Sequence, residues 1–163
     1  MIPEFDKLSG SEMELMFKAP ILTCILIAGA DNDIDKKEIR GAMQLANDRQ
    51  RKGKAKLMGF YQLVNEDFED KLKITIQSYP FESTQRTPLI VEELAALNQV
   101  LPKLDKTFAV EFVKSLREIA LGIAQSSGGI LGMKSIGVEE ARYVNLPMIN
   151  DIAWFQCHLK EVW

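Results

Sequence analysis

Histidine and cysteine are almost missing from this chain. One histidine, His158, and two cysteines, Cys24 and Cys157, are all it holds in 163 residues. That set is too small and too scattered for a conventional zinc site. Both cysteines sit among apolar residues, so a disulfide scaffold is not indicated and buried free thiols in a reducing compartment are expected. Cys157 and His158 are consecutive, which points their side chains apart on a helix, and Cys24 has no assignable base. Ser126-Ser127-Gly128-Gly129 has neither the Gly-Lys-Ser/Thr ending nor the preceding strand of a phosphate loop. No catalytic role is expected from these residues.

Charge of one sign is also lacking. The net charge is -3 at 26% charged residues, so the bulk balance points to neither nucleic acid nor a membrane surface. The most apolar run, Pro20 to Ala30, falls short of the ~20 residues a bilayer span needs. Met1-Ile2-Pro3-Glu4-Phe5-Asp6 has no basic or apolar signal region, and a cytoplasmic, soluble protein is expected. No pair of alternating apolar runs suggests strands.

Helical patterning is what the chain has in quantity. Ser11 and Glu14 have the spacing of a capping box and lead into an apolar helix that Pro20 is expected to kink or restart. Asp35 and Glu38 repeat the box ahead of Ile39, Met43 and Leu45. Further helices are expected at about 55–63, at about 65–77 with Phe68, Leu72, Ile74 and Ile76 inward, and from Thr87-Pro88 to near Pro102. A sixth is capped by Asp105 or Thr107 and runs to Ala124, with Phe108, Phe112, Leu116, Ile119 and Ile123 at helical spacing. A last helical region starts at Val138, bends at Pro147 and heads toward Trp163. The expected fold is all-α, one domain over 1–163 with its core at about 11–157.

The chain also carries a faint internal repeat. Leu26-Ile27-Ala28 corresponds to Gly122-Ile123-Ala124 at a shift of 96, and Ile34, Glu38, Ala42 and Asp48 to Ile136, Glu140, Val144 and Asn150 at a shift of 102. Each copy reads as an apolar helix, a polar loop, an isoleucine and a helix with glutamate in its first turn. Two helix hairpins related by a pseudo-twofold are expected.

Between the first two helices lies Gly29-Ala30-Asp31-Asn32-Asp33-Ile34-Asp35-Lys36-Lys37-Glu38, with four carboxylates within eight positions. Such crowding calls for a cation, a helix N-terminus or water to offset repulsion. Asp31, Asp33 and Asp35 alternate as in the first half of an EF-hand, but the position of its closing glutamate is Ala42, which excludes a complete one. An oxygen-only cluster suits a hard divalent cation, calcium or magnesium. Glu38 is one turn into the helix, and Glu140 is its counterpart in the other hairpin. Against this stands a plain alternative: Asp35 and Glu38 cap a helix while Asp31 and Asp33 are solvated.

The segment Ala28 to Glu38 resembles the A-x-A-D-G-x-I-D-x-x-E signature of TerB-like tellurite-resistance proteins. Ser127-Gly128-Gly129-Ile130-Leu131-Gly132 followed by Glu139-Glu140 is similar to the second-hairpin loop of that family. The resemblance covers about Met13 to Asp151. Asn32 stands for the usual glycine, a change asparagine tolerates through its access to the left-handed region. Ser127, with an insertion, stands where the second loop often has aspartate. The resemblance implies an all-helical, non-catalytic module of tellurite-resistance or metal-stress systems with an acidic surface for divalent cations. Protein partners of such a system are expected.

Two features fall outside that likeness. Arg49-Gln50-Arg51-Lys52-Gly53-Lys54-Ala55-Lys56 has five basic residues in eight, without interleaved aromatics for base stacking. A solvated face at a helix C-terminus accounts for it, and no nucleic-acid partner is expected. A rival reading is a scaffold whose charged faces meet proteins or a membrane surface without metal. The segment Ile152 to Trp163 carries both tryptophans; Trp154, Phe155 and Leu159 are expected against the bundle, while Trp163 leaves homodimerisation open.

Overall fold

The computed structural model describes residues 2–29, 55–126 and 138–151, together with Gly41, Gln44 and Asp48. The chain is mostly helical and, among the described residues, contains no strand. After a short 3-10 turn at Pro3–Phe5 come α1 (Gly10–Ala28), α2 (Ala55–Glu66), α3 (Phe68–Ser78), α4 (Ser83–Ala95), the single turn α5 (Leu97–Val100), α6 (Lys106–Ser126) and α7 (Val138–Tyr143). The all-α expectation holds. Of the helix expected after the acidic stretch only Gly41, Gln44 and Asp48 are described, each in helical conformation.

α1 is the axis of the bundle. From Ala19 to Ala28 every residue is buried, through nearly three turns, because the run is apolar on all sides. A helix of that kind is stable only when surrounded. α6 packs along it most extensively among the described elements, and α3, α4, α5 and α7 also contact it. An aromatic cluster seals one end: Phe60 stacks on Phe17 at 5.4 Å and meets Phe5, Tyr61, Phe108 and Phe112 edge-on.

Several boundaries differ from the sequence pattern. The capping box of α1 is Ser9 with Glu12, two residues before the Ser11–Glu14 pair of identical spacing. Glu12 is favoured because it serves twice: Oε2 accepts from the Ser9 N–H at 2.8 Å, and Oε1 receives Lys103 Nζ. Pro20 does not restart α1; the buried helix runs through it, and Thr23 Oγ1 donates to the Ala19 carbonyl at 2.9 Å. Pro88 likewise lies inside α4, which starts at Ser83 instead of Thr87.

In α3 the expected inward Ile74 is 66% exposed, whereas Thr75 is buried with Phe68 and Leu72. Positions 68, 72 and 75 share one helical face and 74 lies off it, so phase overrides hydropathy. Asp105, not Thr107, caps α6: its Oδ1 accepts from the Phe108 N–H at 3.1 Å. All five apolar positions expected inward on α6 are buried.

The helix that starts at Val138 ends at Tyr143 and does not continue through Pro147; beyond residue 151 the expected run toward Trp163 lies outside the described residues. Leu146 adopts φ 48°, a left-handed conformation unusual for a non-glycine residue. Burial of its side chain and its N–H bond to the Tyr143 carbonyl at 2.8 Å hold it there. Two side chains then clamp the outgoing chain. Asn98 donates to the Met148 carbonyl at 2.8 Å and accepts from the Asn150 N–H at 2.9 Å. Arg117 binds the carbonyls of Asn145 and Ile149 and the Asp151 carboxylate.

Candidate functional site

The buried axis α1 delivers the chain to the acidic stretch, and the point of delivery is held by a charge. Gly29, the C-cap of α1, is buried, and its N–H bonds the Ile25 carbonyl at 2.9 Å. Its own carbonyl, one of those a helix C-terminus leaves without an intrahelical partner, accepts from Arg86 Nη2 at 2.6 Å. Arg86 Nη1 donates to the Phe81 carbonyl at 2.7 Å, so one planar guanidinium ties the end of α1 to the turn before α4. A cation at this end also complements the helix dipole.

Arg86 is only 4% exposed. Burial lowers its pKa from the usual arginine value, and the nearby Glu82 charge works against that shift. The group remains a fixed positive charge at the root of the acidic stretch. Its position was legible as a signal that sequence reasoning passed over: Arg86 lies on the stripe of Ile90 and Leu94, the buried face of α4.

Asp31, Asp33, Asp35 and Glu38 lie outside the described residues, as does the basic run up to Lys54. Glu140 belongs to α7, which packs on α1; its side chain lies outside the description. Among the described residues no group of three or more metal-ligating side chains is gathered.

A second polar cluster joins α1, α4 and the end of α3. Lys18 Nζ donates to Glu93 Oε1 at 2.6 Å and lies 5.4 Å over the Tyr79 ring, while the Tyr79 hydroxyl donates to Glu93 Oε2. Burial raises the Tyr79 pKa, and its bond to Glu93 adds to this. Burial penalises the Lys18 charge, yet Glu93 and Tyr79 outweigh it and the net shift is upward. The three groups satisfy one another and leave no reactive base, so the cluster reads as a structural tie.

Cys24 is buried, and burial pushes its thiol up to about 12, which rules it out as a thiolate nucleophile near neutrality. Cys157 and His158 lie outside the described residues, as do Trp154, Phe155, Leu159 and Trp163. No helix among the described residues is long and apolar enough to cross a membrane. No protein-family model, curated protein or solved structure matches the chain.

Proposed function

We propose that this chain is a non-catalytic, cytoplasmic TerB-like module of a tellurite-resistance or metal-stress system. In this reading it binds one divalent cation, calcium or magnesium, through the stretch that follows α1. Asp31, Asp33 and Asp35 supply hard oxygen ligands, Glu38 comes from the next helix, and Glu140 approaches from the second hairpin.

The observation that carries the proposal is the Arg86 anchor on the Gly29 carbonyl, two residues before Asp31. A loop that must gather like charges benefits from a root that does not move, since preorganised ligands lose less entropy on binding. The pairing of α1 with α6 and of α7 with α1 is compatible with two related hairpins that bring Glu140's helix to the same axis.

Thermal melting in chelator and in millimolar calcium or magnesium tests the reading. A cation that binds only the folded chain raises the melting temperature with concentration, by about 2.7 kcal/mol of stability at one hundred times Kd. Asp31→Asn/Asp33→Asn should remove that rise. Identical melts in chelator and metal would instead favour the charged-face scaffold.

A further inference from the structure

Phe81 is 78% exposed, the highest value for any large apolar side chain among the described residues. Its backbone is nevertheless held. The Phe81 carbonyl accepts from Arg86 Nη1 at 2.7 Å, and the same buried guanidinium donates to the Gly29 carbonyl at 2.6 Å. Pro80, just before it, fixes one more dihedral. A ring on a fixed backbone loses little entropy when a partner covers it, which is the property of an interface anchor.

The helix that follows carries this surface onward. Gln85, Pro88, Leu89 and Glu92 recur at helical spacing on one face of α4, and all four are exposed along about 10 Å of its axis. The charges on this side have one sign. Glu82 and Glu92 are exposed, whereas Arg86, the only base of α4, is buried. The lysines of the neighbouring helices are already committed: Lys18 of α1 to Glu93, and Lys71 and Lys73 of α3 to Asp67 and Glu69. Charge therefore decides between occupants. A second copy laid face to face would set Glu82 and Glu92 against the same two residues, and an anionic membrane surface would be repelled as well. A basic amphipathic helix instead offers apolar side chains to Phe81 and Leu89 and cations to the glutamates.

We propose that Phe81 and the outer face of α4 are a docking surface for a basic amphipathic helix of another protein, with Phe81 and Leu89 as its apolar anchors and Glu92 as its charge partner. The surface goes beyond cation binding and does not depend on it.

Fluorescence anisotropy with a fluorescein-labelled amphipathic peptide of leucine and lysine, and with its counterpart carrying glutamate for lysine, tests this. The lysine peptide should bind saturably and weaken with salt, and the glutamate peptide should not bind. Phe81→Ser and Leu89→Ser should each weaken binding about tenfold, and Glu92→Lys should weaken it as well. Both serine changes are at exposed positions, and the Phe81 carbonyl that Arg86 holds is backbone, so the cooperative melt should be retained. Leu121→Ser, at a similarly exposed apolar site on α6, should leave the affinity unchanged. No saturable binding of the lysine peptide, or wild-type affinity in Phe81→Ser and Leu89→Ser, would overturn the proposal. So would a dimer mass that Leu89→Ser abolishes, which would assign the face to a second copy.

Discussion

The Arg86 guanidinium donates to the Gly29 carbonyl at 2.6 Å across 57 residues of sequence, and it does so from a position only 4% exposed. With its second bond to Phe81, this contact makes the end of α1 and the start of α4 one unit. Removal of the guanidinium would strand the buried Gly29 carbonyl, which water cannot easily reach.

Arg86→Met should therefore destabilise the fold by about 3 kcal/mol, given what one orphaned buried acceptor and two lost charge-assisted bonds cost. Arg86→Lys should fall between, since a single ammonium does not reproduce the planar fork that reaches both carbonyls. Urea denaturation of the three proteins checks the order.

Phe60 touches five other rings, and Phe60→Ala should cost about 3–5 kcal/mol through lost contacts and an unfilled cavity. Ile74→Ala, at a site 66% exposed, should stay within about 0.5 kcal/mol. Equal effects in denaturant unfolding would contradict the helical phase assigned to α3.

How far the sequence led depends on the kind of signal. The five apolar residues of α6 recur at helical spacing and are all buried, because a long amphipathic helix has few other ways to pack. α1 was legible as a helix, but its rank as the central axis came only from three dimensions: a run apolar on every side says it is buried, not by what. The restart expected at Pro20 and the helix start expected at Thr87-Pro88 are absent, since burial of Ile21 to Ala28 and of Ile90 and Leu94 outweighs one lost backbone bond at each proline. Ser9 and Ser11 have identical capping spacing, and tertiary contacts separate them: Glu12 meets Lys103, and Leu8 before Ser9 is buried. Arg86 was the missed residue of the candidate site, a charge on an apolar stripe whose partners are backbone atoms with no sequence signature.

Tyr61 donates its hydroxyl to Ser115 Oγ at 2.7 Å, while that serine donates to the Phe112 carbonyl at 2.6 Å. Tyr61→Phe should cost about 1 kcal/mol by leaving a buried serine oxygen without its donor. Tyr61→Phe/Ser115→Ala should cost less than the sum of the two single changes, which a double-mutant cycle would measure.

Stability should fall at alkaline pH. The Cys24 thiol, pushed up to about 12 by burial, stays protonated in the folded chain long after the unfolded thiol has ionised. The raised Tyr79 and Lys18 act in the same direction. Their contributions are complete below the unfolded values, about 8.5 for a thiol, and are lost as pH climbs toward the folded ones. The urea midpoint should drop across that window, with a shallower drop in Cys24→Ala. In a Cys157→Ser background, Cys24 should resist a thiol reagent at pH 8 until the chain is unfolded.

Isothermal titration of calcium and magnesium into the wild-type chain and into Asp31→Asn/Asp33→Asn is the most direct measurement of what the acidic stretch does. The expected result is a saturable heat of one ion per chain in the wild type, absent from the double variant. No saturable heat at millimolar metal, or the same heat in both proteins, would contradict the cation-binding account.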